Sequence, residues 1–283
     1  MTNKQRYEVR LERKMRRVPF LIPLISILTG SALFAGILIC GYFFEQGYYW
    51  IFLPAGLMAH SFFIVVVHDA AHKSITRTKM DRYIMNLGCA IMLLPFYGEG
   101  FRKYHLIHHA NTNSDVDPLW PSQKKALYEN YRWLYILCEL IPLLYTGFLV
   151  FKQSKQTANK AKEVKAPSIN YYHIIWGGVI SAALIYWLEP SIYFLITTLL
   201  TLNIFSTLRH WCEHLGYDRK KTSNTFWFPL GMGIGNHDTH HEHPHVSWFV
   251  LFIGLFKRKK DTRLLRTVHG VFFKKSFHHY EGH

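Results

Sequence analysis

Two long stretches, Val18 to Val67 and Ala166 to Leu208, contain no lysine or arginine, although the chain carries 33 such residues. Each is long enough for two apolar helices of about 20 residues and a tight turn, which is the length a bilayer requires. Glu45-Gln46-Gly47 and Glu189-Pro190 interrupt the apolar runs and mark the turns. A helical hairpin buried in a soluble protein would show a polar stripe, whereas FLIPLISILTGSALFAGILICGYFF carries no charge. A cleaved signal peptide is disfavoured, because the first run is too long and no small-residue cleavage site follows it. The predicted fold is an all-α integral membrane protein with four transmembrane helices in two hairpins, at about 18–67 and 169–208. The whole chain, 1–283, reads as a single domain.

Charge sets the expected orientation. If both hairpins enter from one side, every lysine and arginine lands on that side, and the positive-inside rule makes it the cytoplasm. The net charge of +15 is thus a topology signal. No nucleic-acid-binding motif accompanies it, so no nucleic-acid partner is expected. The N-terminal KQRYEVRLERKMRR is expected to form a helix on anionic headgroups. Cys40, Cys89, Cys138 and Cys212 have no metal-site or redox spacing and read as buried thiols. Two further apolar stretches, 83–98 and 133–151, are expected to lie re-entrant or in plane. Letting either span would separate the histidine clusters described next. The stretch 246–256 is too short to span and is expected along the interface, and 152–168 reads as a mobile loop.

The segment GNHDTHHEHPH packs His237, His240, His241, His243 and His245 into nine positions. Three other clusters accompany it: HDAAH with His68 and His72, HLIHH with His105, His108 and His109, and RHWCEH with His210 and His214. On a helix the offsets i, i+3 and i+4 project to one face. Each cluster is therefore expected to aim its imidazoles at one point. His68 and His210 directly follow predicted spans, and the remaining clusters fall in the segments about 68–132 and 209–256, expected as a cytoplasmic cap. One zinc takes about four ligands, so eight or nine imidazoles imply two metals. His243 and His245 fall off the motif face and are expected not to be ligands. His60, His173, His269, His278, His279 and His283 read as ordinary core, surface or tail residues. Imidazole suits several metals, but HDAAH lacks the glutamate that a zincin motif uses as general base. A dimetal centre of neutral ligands suits oxygen chemistry better, and imidazoles lack the thiolates that oxidation destroys.

The motifs HDAAHKS, HLIHHANTNSDVDPLW, RHWCEH and NHDTHHEHP, with the paired hairpins, resemble the membrane fatty acid desaturase superfamily over about residues 18–256. The resemblance implies a non-haem di-iron centre that uses dioxygen and two reducing equivalents. Its implied ligands are His68, His72, His105, His108, His109, His214, His237, His240 and His241, with no catalytic residue beyond the metal centre. His210 stands where part of the superfamily has an asparagine holding a metal-bound water, so it reads either as an accessory contact or as a bystander. Asp69, Glu213 and Asp238 each adjoin a ligand histidine and could accept its second N–H, or else pair with nearby cations. The implied reaction is oxidation of an unactivated CH₂ in a lipid acyl chain. Loss of two hydrogens gives an alkene, and oxygen rebound an alcohol.

Aromatic residues of LLPFYGEGFRKY and TSNTFWFP are expected to wall the apolar approach. No fused haem-binding domain is expected at either end, so electrons are expected from a separate carrier of the ferredoxin or cytochrome b5 type. FKRKK (256–260) and Arg102-Lys103 are candidate docking positions, although the positive-inside rule alone accounts for their charge. Two readings stay open within the superfamily, desaturation and hydroxylation or ketolation, the latter on an alkane, sterol, sphingolipid or carotenoid. A metal transporter would place its ligands near the bilayer midplane on broken helices. A membrane zinc hydrolase needs about three histidines and one metal.

Overall fold

The computed structural model describes residues 3–18, 20–114, 117–119, 122–141, 168–215 and 223–273. Among them, four helices are long and apolar enough to cross a membrane: Leu21–Glu45, Tyr49–Ala71, Tyr171–Leu188 and Ile192–His214. Even the shortest, at 18 residues, reaches about 27 Å at 1.5 Å per residue, close to the hydrocarbon thickness of a bilayer. The hairpin turns form where the sequence breaks. Gly47 takes a φ of 90°, a left-handed conformation that costs glycine nothing. Glu189 closes the third span at φ 41°, and Pro190 cannot continue that helix. Ile27, Leu28, Ile39, Tyr42, Tyr186 and Trp187 are exposed on the outer faces. In water such surface would be a liability, whereas lipid solvates it.

The first, second and fourth spans share a core built on Leu33, Ile37, Phe44, Ala59, Phe62 and Phe194. Gly56 lets the second and fourth spans approach closely, since an added Cβ would stand 3.1 Å from the backbone nitrogen of Leu202. The second span is not regular. Phe63–His68 is π-helical, a form whose i→i+5 hydrogen bonds are poorer and which recurs at functional sites. It delivers His68 and then His72 into the cap.

Among the described residues, neither of the other apolar stretches forms a helix long enough to cross, and residues 142–151 of the second lie outside them. Within 83–98 the helix Met80–Ile91 has only 12 residues. It packs on the third span, where Ser181 Oγ donates to the Ala90 carbonyl at 2.8 Å. The described part of 133–151 is the nine-residue helix Arg132–Leu140. It is tied to the fourth span by Asn203 Nδ2 and Thr207 Oγ1, which donate to the Glu139 carbonyl at 3.0 and 2.9 Å. The basic segment 152–165 and the tail histidines His278, His279 and His283 lie outside the described residues. All four cysteines are buried free thiols.

Two segments expected at the interface pack on each other. The N-terminal helix Asn3–Met15 forms, but its inward face lies on protein. Val9, Leu11 and Met15 cover Val246, Val250 and Leu251. The reason is its charge pattern, since Glu8 and Glu12 are both buried and find cationic partners in the cap. The helix Trp248–Leu255 is therefore covered by that helix and is no bare interfacial segment. A parallel pair of short strands, Phe226–Trp227 with Thr262–Arg263, closes the cap.

The helix Tyr97–Ala110 carries the second histidine motif, and Glu99 anchors it. Arg82 Nε donates to Glu99 at 2.9 Å, as do Asn86 Nδ2 and the backbone N–H of Asn170 at the start of the third span. Burial alone would raise the Glu99 carboxyl, but these donors bring it down to about 2. The folded carboxyl thus titrates below its unfolded value near 4.5. Its contribution, roughly 3 kcal/mol, is complete above that pH and is lost as pH falls toward 2. Glu99→Gln is expected to lower the melting temperature of the detergent-solubilised protein by several degrees at pH 7. The gap to the wild type should shrink in acid. A gap that is constant with pH would show that the carboxylate charge is not what anchors this helix.

Candidate metal centre

The histidine clusters converge from four separate elements. His68 and His72 end the second span, His105, His108 and His109 sit on Tyr97–Ala110, His214 ends the fourth span, and His237, His240 and His241 occupy the short helix His237–Glu242. One group brings together His68, His72, His105, His109 and His240, with ligand nitrogens within 4.8 Å of one another. A second brings together His108, His214 and His241. His237 joins it, with its Nε2 at 3.1 Å from His241 Nε2. All nine histidines singled out by the motifs therefore lie in two adjoining groups. His109 and His241, one from each, stack with ring centroids 4.2 Å apart.

The expectation that each motif aims at one point is corrected. His105 and His109 face the first group, while His108 faces the second. In the last motif His240 goes to the first group, and His237 and His241 to the second. Adjacent helical residues are about 100° apart, so an HxxHH motif between two sites serves both. His243 and His245 stand outside both groups, their rings facing each other at 6.1 Å. His210 lies with Glu213 and His214 at the edge of the second group, which favours the accessory reading over the bystander. His60 is buried against Phe228, and His173 accepts a hydrogen bond from Trp176.

The carboxylates sort differently from the sequence reading. Glu213 lies 3.2 Å from His237 Nδ1 without a hydrogen bond to it, and also pairs with Arg209. Asp69 stands 3.8 Å from His68 Nδ1, too far for a hydrogen bond. It instead accepts the Trp248 backbone N–H at 2.7 Å and caps that helix. Asp238 accepts from Thr225 Oγ1 and Arg258 Nη1, each at 3.0 Å, and orients no imidazole.

The strongest orienting acid is one without a role in the sequence reading. Both oxygens of Asp117 lie 2.9 Å from His108 Nδ1. The backbone N–H groups of Asn113 and Leu119 donate to the same carboxylate, each at 2.8 Å. Burial alone would raise Asp117. His108 and those N–H groups hold it below the ordinary value, so it stays an acceptor. Thr112 Oγ1 donates to the His108 carbonyl at 2.8 Å and lies 3.0 Å from His241 Nδ1. Having spent its proton, it accepts the His241 Nδ1–H. Both contacts leave Nε2 of the histidine as the free donor atom. The available signal was Asp117 in the quoted DPLW run, but nine residues from His108 no helical offset connects them.

These residues fit metal ions. His72 Nε2 and His105 Nε2 approach to 2.8 Å, and His240 Nε2 and His109 Nε2 to 3.1 Å. Nitrogens sharing one ion at about 2.1 Å stand about 3 Å apart when the angle is near 90°. Both ring nitrogens of His68 are buried without a hydrogen-bond partner, an arrangement that costs roughly 1–3 kcal/mol per group unless a ligand satisfies it. Burial lowers His72 to about 3. Burial, and then the neighbouring imidazoles, hold His105, His109 and His240 well below their usual range. The rings are thus neutral, the state that binds metal.

Four membrane-length helices and a double cluster of buried imidazoles define an integral membrane protein suited to bind metal. The chain belongs to the fatty acid desaturase family, whose model, described as fatty acid desaturase, matches residues 47–251. No curated protein matches the chain. Membership implies an oxidoreductase of desaturase or hydroxylase type acting on lipid.

If Asp117 fixes the His108 ring, Asp117→Asn presents an amide where an acceptor is required. Metal affinity of one site should fall by about 10–100-fold, read by competition with a chromogenic chelator. Affinity equal to wild type would show that Asp117 does not set the ligand's orientation.

Proposed function

We propose that residues 1–283 form one domain that uses dioxygen to oxidise unactivated C–H bonds of a lipid acyl chain, introducing a double bond. The ligands are His68, His72, His105, His109 and His240 for one iron, and His108, His214, His237 and His241 for the other. The observation that carries this reading is the pair of adjoining imidazole groups, five and four strong, in a chain of the desaturase family. A single zinc would use about four ligands, and no glutamate occupies the general-base position of HDAAH. Two irons held by neutral nitrogens supply dioxygen activation and hydrogen removal from an unactivated CH₂.

The chain's own part is to position the substrate and exclude water. Phe101 stacks on His105 with centroids 4.8 Å apart and touches Phe63 at 4.9 Å. Tyr97 continues that aromatic row toward the exposed residue Phe96. The row suits an acyl chain passing from the bilayer to the metals. Electrons come from a separate acidic carrier of the ferredoxin or cytochrome b5 type, and the cap and both termini are cytoplasmic by the positive-inside rule. Arg102, Lys103, Lys257 and Lys259 are docking positions. Arg258 is not, since Glu8 and Asp238 hold it at 3.0 Å each.

The test is to express wild type and His241→Ala in a lipid-producing host with a matched donor and compare lipids and pigments by mass spectrometry. A product lacking two hydrogens, with wild type only, is expected. The variant should fall by roughly 100-fold or more. A product that gains oxygen would move the assignment to hydroxylase or ketolase at the same site. Purified wild type should carry about two irons per chain, and a single zinc would overturn the reading.

A further inference from the structure

The helix His237–Glu242 has six residues, too few to hold a helical position unaided. Its histidines nevertheless contribute to both groups. Thr225 Oγ1 holds Asp238 from within the matched residues 47–251, and Glu8 and Arg258 add their grip from outside them. Glu8, on the N-terminal helix, accepts Asn236 Nδ2 at 3.0 Å, immediately before His237. It also accepts Arg258 Nε and Nη2 at 3.1 and 3.0 Å. Arg258 Nη1 then donates to Asp238 at 3.0 Å, and its Nη2 donates to Thr239 Oγ1. Thr239 Oγ1 donates back to Asn236 Oδ1 at 3.0 Å. The network thus grips the residues that flank His237 and precede His240. Glu8 is 1% exposed, so the grip is dry and breaking it would leave a buried charge without its partner.

The same helix holds the first motif. Glu12 accepts Ser247 Oγ at 2.9 Å and Arg16 Nε at 2.7 Å. Arg16 in turn donates to the carbonyls of Ile75, at 2.8 Å, and Ser74, just past His72. One helix therefore straps the exit of the first motif to both ends of the third. Gly254 shows how closely it is seated. A Cβ there would stand 2.6 Å from Glu8 Cγ and press on its carboxyl group.

We propose that Glu8 and Arg258 are positioning residues that set metal retention at the second group selectively. The proposal rests on the di-iron reading above. The gripped helix supplies His237 and His241 to the four-histidine group but only His240 to the five-histidine group. Loosening the grip therefore removes half the ligands of one site and a fifth of the other's.

The experiment loads purified full-length protein with ferrous iron under anaerobic conditions and follows release to a chelator. Wild type, Glu8→Gln, Gly254→Ala and Trp176→Phe are compared. Trp176→Phe is the control, losing only a hydrogen bond to His173 in the third span. Glu8→Gln keeps the shape and removes the charge. Gly254→Ala raises intrinsic helix propensity, so a merely structural role for this contact predicts no selective loss, whereas displacing Glu8 predicts one. Both variants should release one of two irons at least about ten-fold faster, with the other leaving at the wild-type rate. Trp176→Phe should match wild type. Wild-type release of both irons from Glu8→Gln and Gly254→Ala, or equal acceleration of both, overturns the proposal. Wild type that binds fewer than two irons overturns the di-iron reading instead, and this inference with it. If Glu8→Gln does not fold, Gly254→Ala alone decides.

Discussion

Imidazoles crowded into one buried space are costly unless their lone pairs are used. Protonating any of them would place a cation in a dry site among neighbours ready to do the same, which is why burial leads the causes that depress His72 and His240. Leaving the nitrogens unpaired is also costly. Bound metal would resolve both problems, since an ion takes the lone pairs and disfavours the protons. The rest of the cap can be understood as the scaffolding this arrangement requires. Asp117 and Thr112 set tautomers at His108 and His241, and Glu99 holds the central helix against the third span.

The membrane and the cap do different work with different forces. Between the spans, close approach comes from small residues such as Gly56 against Thr201, because lipid is as apolar as a leucine side chain and gives no hydrophobic drive. The cap is tied by buried ion pairs and charge-assisted hydrogen bonds: Arg82 with Glu99, Arg258 with Glu8, Arg16 with Glu12. Such pairs are worth little for raw stability compared with apolar packing, but they are directional. Direction is what a ligand set drawn from separate elements needs.

The sequence is legible where one local rule governs. Spans and turns follow from bilayer length and from Gly47 and Glu189-Pro190. The resemblance implies which nine histidines are ligands. The histidine clusters themselves follow from helical offsets, because periodicity reports which residues share a neighbourhood. It does not report how a neighbourhood is divided, so the split of His108 from His105 and His109 was invisible. Nor does adjacency in sequence identify an orienting acid. Asp69 and Asp238 sit beside histidines and serve other partners, while Asp117 reaches His108 through a turn. The N-terminal helix is the same case at larger scale. Its basic composition points to headgroups, but two acids on its inner side find partners more than two hundred residues away, such as Asn236 and Ser247.

The π-helical segment Phe63–His68 gives the second span a lower angular advance per residue than an α-helix just before it enters the cap. A single deletion between Phe63 and Val67 would let this segment relax to regular winding with His68 and His72 turned only slightly relative to the lipid-facing side chains below, because a π-helical turn spends about one residue more than an α-helical turn on the same rotation. One extra residue of backbone is thus absorbed where the span meets the cap, and the histidines beyond it keep their facing.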